Sequence, residues 1–499
     1  MSSYDIESNN SAAQLQAYQY ALLREKRKQE SYFKGLLWLL VLLLVAFSAY
    51  LLDQRPKSLS FNQALLSLGI AWLGFLPSLQ YLADRQRPPM PFFPLVGIFY
   101  ATAFGLPMFA NNQKIEGSLS FKDVTNTSLI LALVGIAGMN LAFYVCKSTI
   151  LQKVMPIQLP RSYPLSKLLI LLWIFLLAHI AYLYFPSIQA LPSLNQLLDP
   201  IGYIAYGMFY IIWARGRLSS VQAGILLSIF MPLEILQRFI SGALANLMLL
   251  GLFVVLVIWY ERKRIPLIPI GITLIFFLAL NPVKGEYRNL TWGNGKYAQA
   301  SVIEKAKLFV DLSSKKYFGN GNSSKGSATR NSDSAQNLAR TAHILVFAKV
   351  VEDTPTIVPS WNGASYATLF TSFIPRILWA DKPIATIGND FGRRYRLLGK
   401  QDYSTSFNLP WMVELYANFE MFGLVLGMPI LGCFLAFLEQ KLNHSAMEPL
   451  DFVVGATIMF RLIYQESNFA LMVGGIISLC LSLYLIFKFY LKNQVHADV

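Results

Sequence analysis

The residues able to do chemistry gather in residues 281–410, the long polar interval of an otherwise apolar chain. At its start, Lys284, Glu286 and Arg288 lie within five residues of one another. A guanidinium suits phosphate because its planar fork makes two charge-assisted hydrogen bonds at once. The spacing therefore predicts a binding site for a phosphate-type anion. The alternative is that the two cations anchor the chain at a membrane surface.

A histidine in this interval is a candidate proton acceptor. Arg340 and His343 lie three residues apart in the predicted helix 335–352, so they share one helix face. Histidine can take up a proton near neutral pH and act as a general base. Its alternative role on an amphipathic helix is structural.

Charged residues surround an aromatic residue near the end of the interval, in the run FIPRILWADKP (373–383). Trp379 has Arg376, Asp381 and Lys382 around it. This pattern is typical of a platform on which sugars stack, although tryptophan is also frequent at membrane interfaces. Farther on, Arg393 and Arg394 belong to the densest basic patch of the interval. Anionic lipid headgroups are the alternative partner of that patch.

Two ionisable pairs lie in or beside apolar segments. Glu234 and Arg238 are four residues apart, which predicts an ion pair within one helix. Arg238 is also close enough to the surface to face a lipid-linked phosphate. Arg461 and Glu466 flank a later turn, and we expect them to pair with each other.

Motifs of several enzyme classes are missing from the sequence. It contains no GxxxxGK[ST], no HExxH, no Asp-x-Asp and no GxSxG motif. The four histidines are too scattered for a metal site, and the three cysteines predict no disulfide. We therefore expect no metal and no cofactor.

Composition places the chain in a membrane. Of its 499 residues, 55% are hydrophobic and 14% charged, against roughly 25% charged residues in soluble domains. A membrane helix needs about 20 apolar residues. Twelve segments approach that length: 35–52, 62–82, 90–110, 127–146, 167–185, 200–214, 219–239, 242–260, 265–281, 420–438, 450–465 and 469–488. We expect an all-α integral membrane protein with one large, partly helical loop between spans nine and ten.

Loop charge predicts the orientation. Lysines and arginines concentrate in every second loop, which the positive-inside rule assigns to the cytoplasm. This gives a cytoplasmic segment 1–34, spans 1–9 within 35–281, a periplasmic loop 282–410, spans 10–12 within 411–490 and a cytoplasmic tail 491–499. The loop holds 17 Lys/Arg and 9 Asp/Glu, an excess that suits an anionic lipid-linked substrate rather than nucleic acid. Within it, 298–314 and 335–352 predict helices, and Tyr317–Ser334 predicts a mobile flap.

The layout resembles the O-antigen polymerase and ligase superfamily, integral glycosyltransferases of the GT-C type. Four runs carry a closer likeness to the Wzy-like oligosaccharide repeat-unit polymerases: KGEYR (284–288), FIPRILWADKP, GNDFGRRYR (388–396) and NLPWMVELYANFEMFG (408–423). The likeness in architecture covers most of the chain, and the likeness in motifs covers 281–425.

The resemblance implies a reaction and a place. Such polymerases act on undecaprenyl-pyrophosphate-linked oligosaccharides at the periplasmic face of the bacterial inner membrane. They transfer the growing glycan onto the non-reducing sugar of another lipid-linked repeat unit, with inversion and without metal. Membrane lipids and a chain-length regulator protein are further expected partners.

The resemblance also implies residue roles. Arg238 and Arg288 would bind pyrophosphate with help from Arg340, and His343 or Glu286 would activate the acceptor hydroxyl. The remaining candidates share these tasks: Asp381 and Glu414 as bases, Trp379 and Tyr416 for sugar stacking, and Lys284, Arg376, Lys382, Arg393 and Arg394 for the anion.

Three alternatives stay open. A ligase would move the glycan to lipid A core or to a protein by the same chemistry. A flippase or other transporter would place ionisable residues at the bilayer midplane and often show internal symmetry. Here the charges gather near the outer ends of the predicted spans, and no repeat is visible. A structural membrane subunit is the third alternative.

Overall fold

The chain is helical wherever the structure describes it. The computed structural model describes residues 3–110, 119–159, 163–191, 194–241, 244–280, 283–292, 295–318, 341–372, 374, 379, 381–382, 386–445 and 447–491. These residues form helices, turns and connecting segments, without a β-strand. The all-α prediction is therefore confirmed for this part of the chain.

The helices before the loop are numbered in chain order. They are α1 (Ser3–Asp53), α2 (Phe61–Ala83), α3 (Phe92–Tyr100), α4 (Asn126–Ser148), α5 (Leu165–Tyr184), α6 (Pro186–Gln189), α7 (Asn195–Ala214), α8 (Ser220–Ile225), α9 (Met231–Ile240), α10 (Leu244–Arg262) and α11 (Leu267–Leu280). A short π-helical segment, Leu226–Phe230, joins α8 and α9 into one continuous helical rod. Hydroxyl side chains cap several of these helices; for example, Ser60 accepts from the backbone N–H of Gln63 at the start of α2.

Helices of the loop and of the last third are mostly shorter. They are α12 (Lys284–Thr291), α13 (Val302–Phe318), α14 (His343–Asp353), α15 (Leu369–Ser372), α16 (Ile387–Arg394), α17 (Trp411–Phe422), α18 (Met428–Leu442), α19 (Pro449–Phe460) and α20 (Phe469–Ile486). The helix predicted over 298–314 corresponds to α13, and the one over 335–352 to α14. Residues 319–340, which include most of the predicted flap, lie outside the described residues.

Nine helical rods of the described residues are long and apolar enough to cross a membrane. They are Arg24–Asp53, Phe61–Ala83, Phe92–Phe109, Asn126–Ser148, Leu165–Tyr184, Gln196–Ala214, Ser220–Ile240, Trp411–Leu442 and Phe469–Tyr490. The helix α19 is apolar but shorter, and α10 and α11 occupy the eighth and ninth predicted segments. The protein is thus a helical membrane protein, while the count of twelve spans stays a prediction.

Close helix contacts depend on glycine. A Cβ atom on Gly432 of α18 would lie 2.2 Å from the carbonyl oxygen of Met139 on α4, so only glycine allows this approach. The same two helices carry Cys146 and Cys433, which form a disulfide with Cα atoms 5.6 Å apart. The prediction of no disulfide is therefore wrong. The two cysteines are 287 residues apart in sequence, and only the packing of α4 against α18 brings them together.

The loop helices pack against one end of the helical bundle, which we call the loop end. The hydroxyl of Tyr287 on α12 donates to the carbonyl of Ile240, and Trp292 Nε1 donates to the carbonyl of Ser241. These two bonds fix α12 to the end of α9. Likewise Phe347 of α14 contacts the rings of Phe104, just after α3, and Tyr416 of α17. At the opposite end of the bundle, the hydroxyl of Tyr260 near the end of α10 donates to the carbonyl of Met447, just before α19.

Candidate functional site

Two polar clusters lie at the loop end. The first, which we call the buried network, consists of His179 on α5, Asp199 on α7, and Glu234 and Arg238 on α9. The side chains of His179 and Glu234 are 1% and 0% exposed. Asp199 is 41% exposed, so the network reaches solvent only at that residue.

Hydrogen bonds close this network. His179 Nδ1 lies 2.8 Å from the carbonyl oxygen of Leu198, and Nε2 lies 2.8 Å from Glu234 Oε2. Arg238 donates through Nε to Glu234 and through Nη2 to Asp199 Oδ1, the latter at 3.0 Å. The ion pair expected between Glu234 and Arg238 is present, as one part of a larger arrangement.

The geometry requires a proton between His179 and Glu234. A carbonyl oxygen can only accept, so His179 Nδ1 must carry hydrogen and donate to Leu198. An unprotonated Nε2 and a carboxylate would then both be acceptors facing each other at 2.8 Å. One proton on either atom resolves this conflict. With it, the charges of the four side chains sum to zero, which suits a site withdrawn from water.

The second cluster, which we call the rim cluster, consists of Lys284, His343, Asn408, Tyr464 and Glu466. His343 is 2% exposed, and its Nε2 lies 3.9 Å from Glu466 Oε1, beyond hydrogen-bonding distance. Among the described residues, this nitrogen finds no hydrogen-bond partner. Burial lowers the pKa of the His343 imidazole to about 4, so the ring is neutral at neutral pH.

Glu466 is partly accessible to water, with 25% of its side chain exposed. Asn408 donates its amide N–H to Glu466 Oε1 and so fixes the carboxylate. Burial raises the pKa of the Glu466 carboxyl, opposed by Tyr464, by the positive charge of Lys284 and by Asn408. The arrangement is a partly exposed carboxylate beside a neutral histidine and a cation.

Arg461 lies beside the buried network in space and five residues before Glu466 of the rim cluster in sequence. Its exposed side chain donates through Nη1 to the carbonyl of Gln196 at 3.5 Å and is close enough to Asp199 to interact electrostatically. Glu466, five residues later, turns to the rim cluster instead. The expected pairing of Arg461 with Glu466 is therefore wrong, because each residue meets partners from other helices.

Several predicted site residues lie in other surroundings. Glu414 is fully buried and accepts from Ser365 Oγ and from the backbone N–H of Phe469, both at 2.7 Å. It thereby caps the first turn of α20. Tyr416 is buried against Phe347, with ring centroids 5.8 Å apart.

The basic candidates differ in their partners. Arg288 lies over the ring of Trp292 at 4.0 Å, and Lys382 Nζ donates to the carbonyl of Ile374. Arg393 pairs with Asp390 at 2.6 Å and Arg394 donates to the carbonyl of Pro359. Glu286 and Asp381 are exposed, Trp379 is half-buried, and Arg340 and Arg376 lie outside the described residues.

The structure thus places Lys284 and His343, which lie 59 residues apart in sequence, in one cluster. It also adds residues that the sequence analysis does not identify. His179 and Asp199 belong to the buried network, and Glu466 and Asn408 to the rim cluster. A signal was available for His179, since an ionisable residue in an apolar run is costly without a partner. Asn408 carried no such signal.

These observations define the class of the protein: it is a helical membrane protein with two polar clusters at one end of its bundle. A family model described as a domain of unknown function, DUF8712, matches residues 121–497. The chain belongs to this family. No curated protein and no solved structure matches the chain.

Proposed function

We propose that this protein is an integral membrane glycosyltransferase of the repeat-unit polymerase type. It transfers a growing glycan from its polyprenyl-pyrophosphate carrier onto the non-reducing end of another lipid-linked repeat unit. The reaction takes place at the loop end, on the periplasmic face of the bacterial inner membrane, and uses no metal. Both chain termini are cytoplasmic in this proposal.

The rim cluster carries the proposal. Glycosyl transfer to a hydroxyl needs a group that accepts the hydroxyl proton and cations that stabilise the departing pyrophosphate. A partly exposed carboxylate, Glu466, and a cation, Lys284, act on each other in this cluster. Both lie at the end of apolar helices, where the sugar–phosphate part of a lipid-linked substrate would be found.

Cations beside the rim cluster support a pyrophosphate site. Arg461 is exposed, and Arg288 is half-buried on the same short helix as Lys284. Arg238 of the buried network adds positive charge, although its guanidinium already donates to Glu234 and Asp199. We therefore assign the direct phosphate contacts to Lys284, Arg288 and Arg461, because their side chains reach solvent.

The test is a polymerisation assay with purified protein in lipid nanodiscs. Polyprenyl-pyrophosphate-linked repeat units are supplied alone, with EDTA and without nucleotide, and the glycans are sized. We expect a ladder of multimers. Arg288→Ala should lower the rate of ladder formation, whereas Arg217→Ala, an exposed arginine on the connection between α7 and α8, should not. Unchanged lipid-linked substrates with well-folded protein would contradict the proposal.

Transport of the lipid-linked glycan is a second candidate, because the buried network places ionisable groups inside apolar helices, as transporters do. The outer part of the network argues for the first candidate: Arg238 is two residues, or about 3 Å, from the end of its helix at the rise of an α-helix, and Asp199 is 41% exposed. A transporter would move the intact substrate across vesicles without forming a ladder. A ligase would form product only when lipid A core or a protein acceptor is added.

A further inference from the structure

We propose that Glu466 is the general base of the transfer, and that His343, the histidine predicted for this task, accepts a hydrogen bond from the Glu466 carboxyl once it is protonated. This assignment rests on the proposed function. It names the carboxylate that takes the proton from the acceptor hydroxyl and gives the buried histidine a different role.

Accessibility excludes two sequence-predicted bases from direct contact with a sugar hydroxyl. Glu414 is fully buried, and both of its carboxylate oxygens already accept hydrogen bonds. His343 is almost as deeply buried, and the rings of Phe99 and Phe104 lie beside it. Neither side chain therefore presents a proton-accepting atom to a hydroxyl that arrives from solvent.

Surroundings distinguish Glu466 from the exposed candidates. Glu286 and Asp381 are exposed carboxylates on the loop. Glu466 is three-quarters buried and is fixed by Asn408, while a quarter of its side chain faces solvent. Partial burial combined with a fixed orientation is what a general base requires, since burial favours its protonated form and brings proton uptake nearer neutral pH.

His343 Nε2 is the second, independent observation. It is a buried polar atom that lacks a hydrogen-bond partner in the described part of the chain, and it faces Glu466 Oε1 at 3.9 Å. A buried polar atom of this kind is costly unless something occupies the site for part of the time. A small approach of the carboxyl to the ring would satisfy it once Glu466 has taken up a proton.

The chemical step balances as follows. The acceptor hydroxyl gives its proton to a carboxylate oxygen of Glu466, and its oxygen forms the bond to the anomeric carbon. The bond from that carbon to the pyrophosphate oxygen breaks, and its electron pair leaves with the pyrophosphate, next to Lys284. Glu466 then releases its proton to water, which restores the carboxylate.

Among the residues that the structure describes, four groups face Glu466 and set its titration. They are His343 from α14, Lys284 from α12, Asn408 from the segment before α17, and Tyr464 on its own segment. His343 is neutral, so Lys284 supplies the charge of this cluster that a substitution can remove without touching the hydrogen bonds of Glu466. Removing that charge by Lys284→Met raises the pKa of Glu466 and moves the ascending limb of the pH–rate profile to higher pH.

The test is the turnover number, kcat, measured against pH in the polymerisation assay for five proteins. They are the wild type, Glu466→Gln, Glu466→Asp, Lys284→Met and, as a matched control, Glu352→Gln, an exposed carboxylate on the same helix as His343. Glu466→Gln should lower kcat by about 10²–10⁴-fold and abolish the ascending limb. Glu466→Asp should retain the limb at a lower rate, and Glu352→Gln should match the wild type.

Two results would overturn the assignment: a Glu466→Gln protein that keeps the wild-type kcat, or a Lys284→Met protein whose limb does not move. The second needs no change at Glu466, so it stands even if Glu466→Gln does not fold. A wild-type protein that forms no ladder contradicts the proposed function itself, which separates the two failures.

Discussion

Two histidine–glutamate pairs lie at the same end of this bundle and differ in one respect. In the buried network, both ring nitrogens of His179 are engaged, and Glu234 is held by His179 and Arg238. In the rim cluster, His343 Nε2 has no hydrogen-bond partner among the residues described, and Glu466 lies 3.9 Å away with solvent on one side. The first pair is closed and the second is open.

Two pairs of the same residue types can therefore have different roles. A closed pair has its hydrogen-bonding capacity used up by the protein, so its contribution is to hold α5, α7 and α9 together. An open pair keeps capacity for a ligand. We therefore expect the closed pair to govern stability and the open pair to govern turnover.

The largest stability effect should come from Glu234→Ala. This change leaves Arg238 and the His179 ring without their shared partner in a buried site, which typically costs about 3–5 kcal/mol. The unfolding midpoint in detergent should fall far below that of Glu352→Ala, the exposed control. Equal midpoints for the two variants would show that the network does not stabilise the fold.

Glu234→Gln separates the effect of the hydrogen bonds at this position from that of the negative charge. A glutamine can accept from Arg238 through its oxygen and donate its N–H to His179 Nε2, replacing the proton that the geometry requires. We expect this variant to unfold close to the wild type, unlike Glu234→Ala. A loss as large as that of Glu234→Ala would mean that the negative charge, rather than the hydrogen bonds, is essential.

His343 should make stability depend on pH. Its pKa is lowered to about 4, while the unfolded value is 6.5, so the unfolded chain binds the proton more readily between these values. The contribution of His343 is therefore fully present above pH 6.5 and lost as pH falls towards 4, by about 3 kcal/mol.

Comparison with His343→Gln isolates this contribution from that of Glu466, whose raised pKa acts in the opposite direction. The difference in unfolding midpoint between the wild type and His343→Gln should change as pH is lowered from 7 to 4. A difference that is constant over this range would contradict the buried, neutral state of the ring.

Asn408→Ala should have an intermediate effect, confined to turnover. It removes the amide that fixes the Glu466 carboxylate, and a hydrogen bond to a charged group is worth about 1.5–3 kcal/mol. We expect kcat to fall by roughly tenfold or more, with the unfolding midpoint little changed because Asn408 lies at the surface. A variant that loses stability but keeps its kcat would assign Asn408 to the fold.

Arg393→Ala should have the smallest effect. Its ion pair with Asp390 is partly exposed, and such pairs contribute about 0–1 kcal/mol. Unfolding and ladder formation should both stay close to the wild type. A large loss of turnover would revive the interpretation of Arg393 as a substrate-binding residue.

Periodicity and charge predicted the helices well because both are local properties. The apolar runs predict α2 and α4 to within a few residues. They do not predict the contact at Gly432 or the Cys146–Cys433 disulfide. Such contacts depend on which helices are neighbours in space. For the same reason the sequence pairs Glu466 with Arg461, its neighbour in the chain, whereas in the structure Glu466 lies beside His343.

The most direct measurement compares one substitution at two positions. Glu234→Gln and Glu466→Gln are purified in the same detergent, and each is assayed for its unfolding midpoint and for its rate of ladder formation. We expect both variants to fold like the wild type, Glu234→Gln to form ladders and Glu466→Gln to form none. Ladders from Glu466→Gln at the wild-type rate would contradict this expectation.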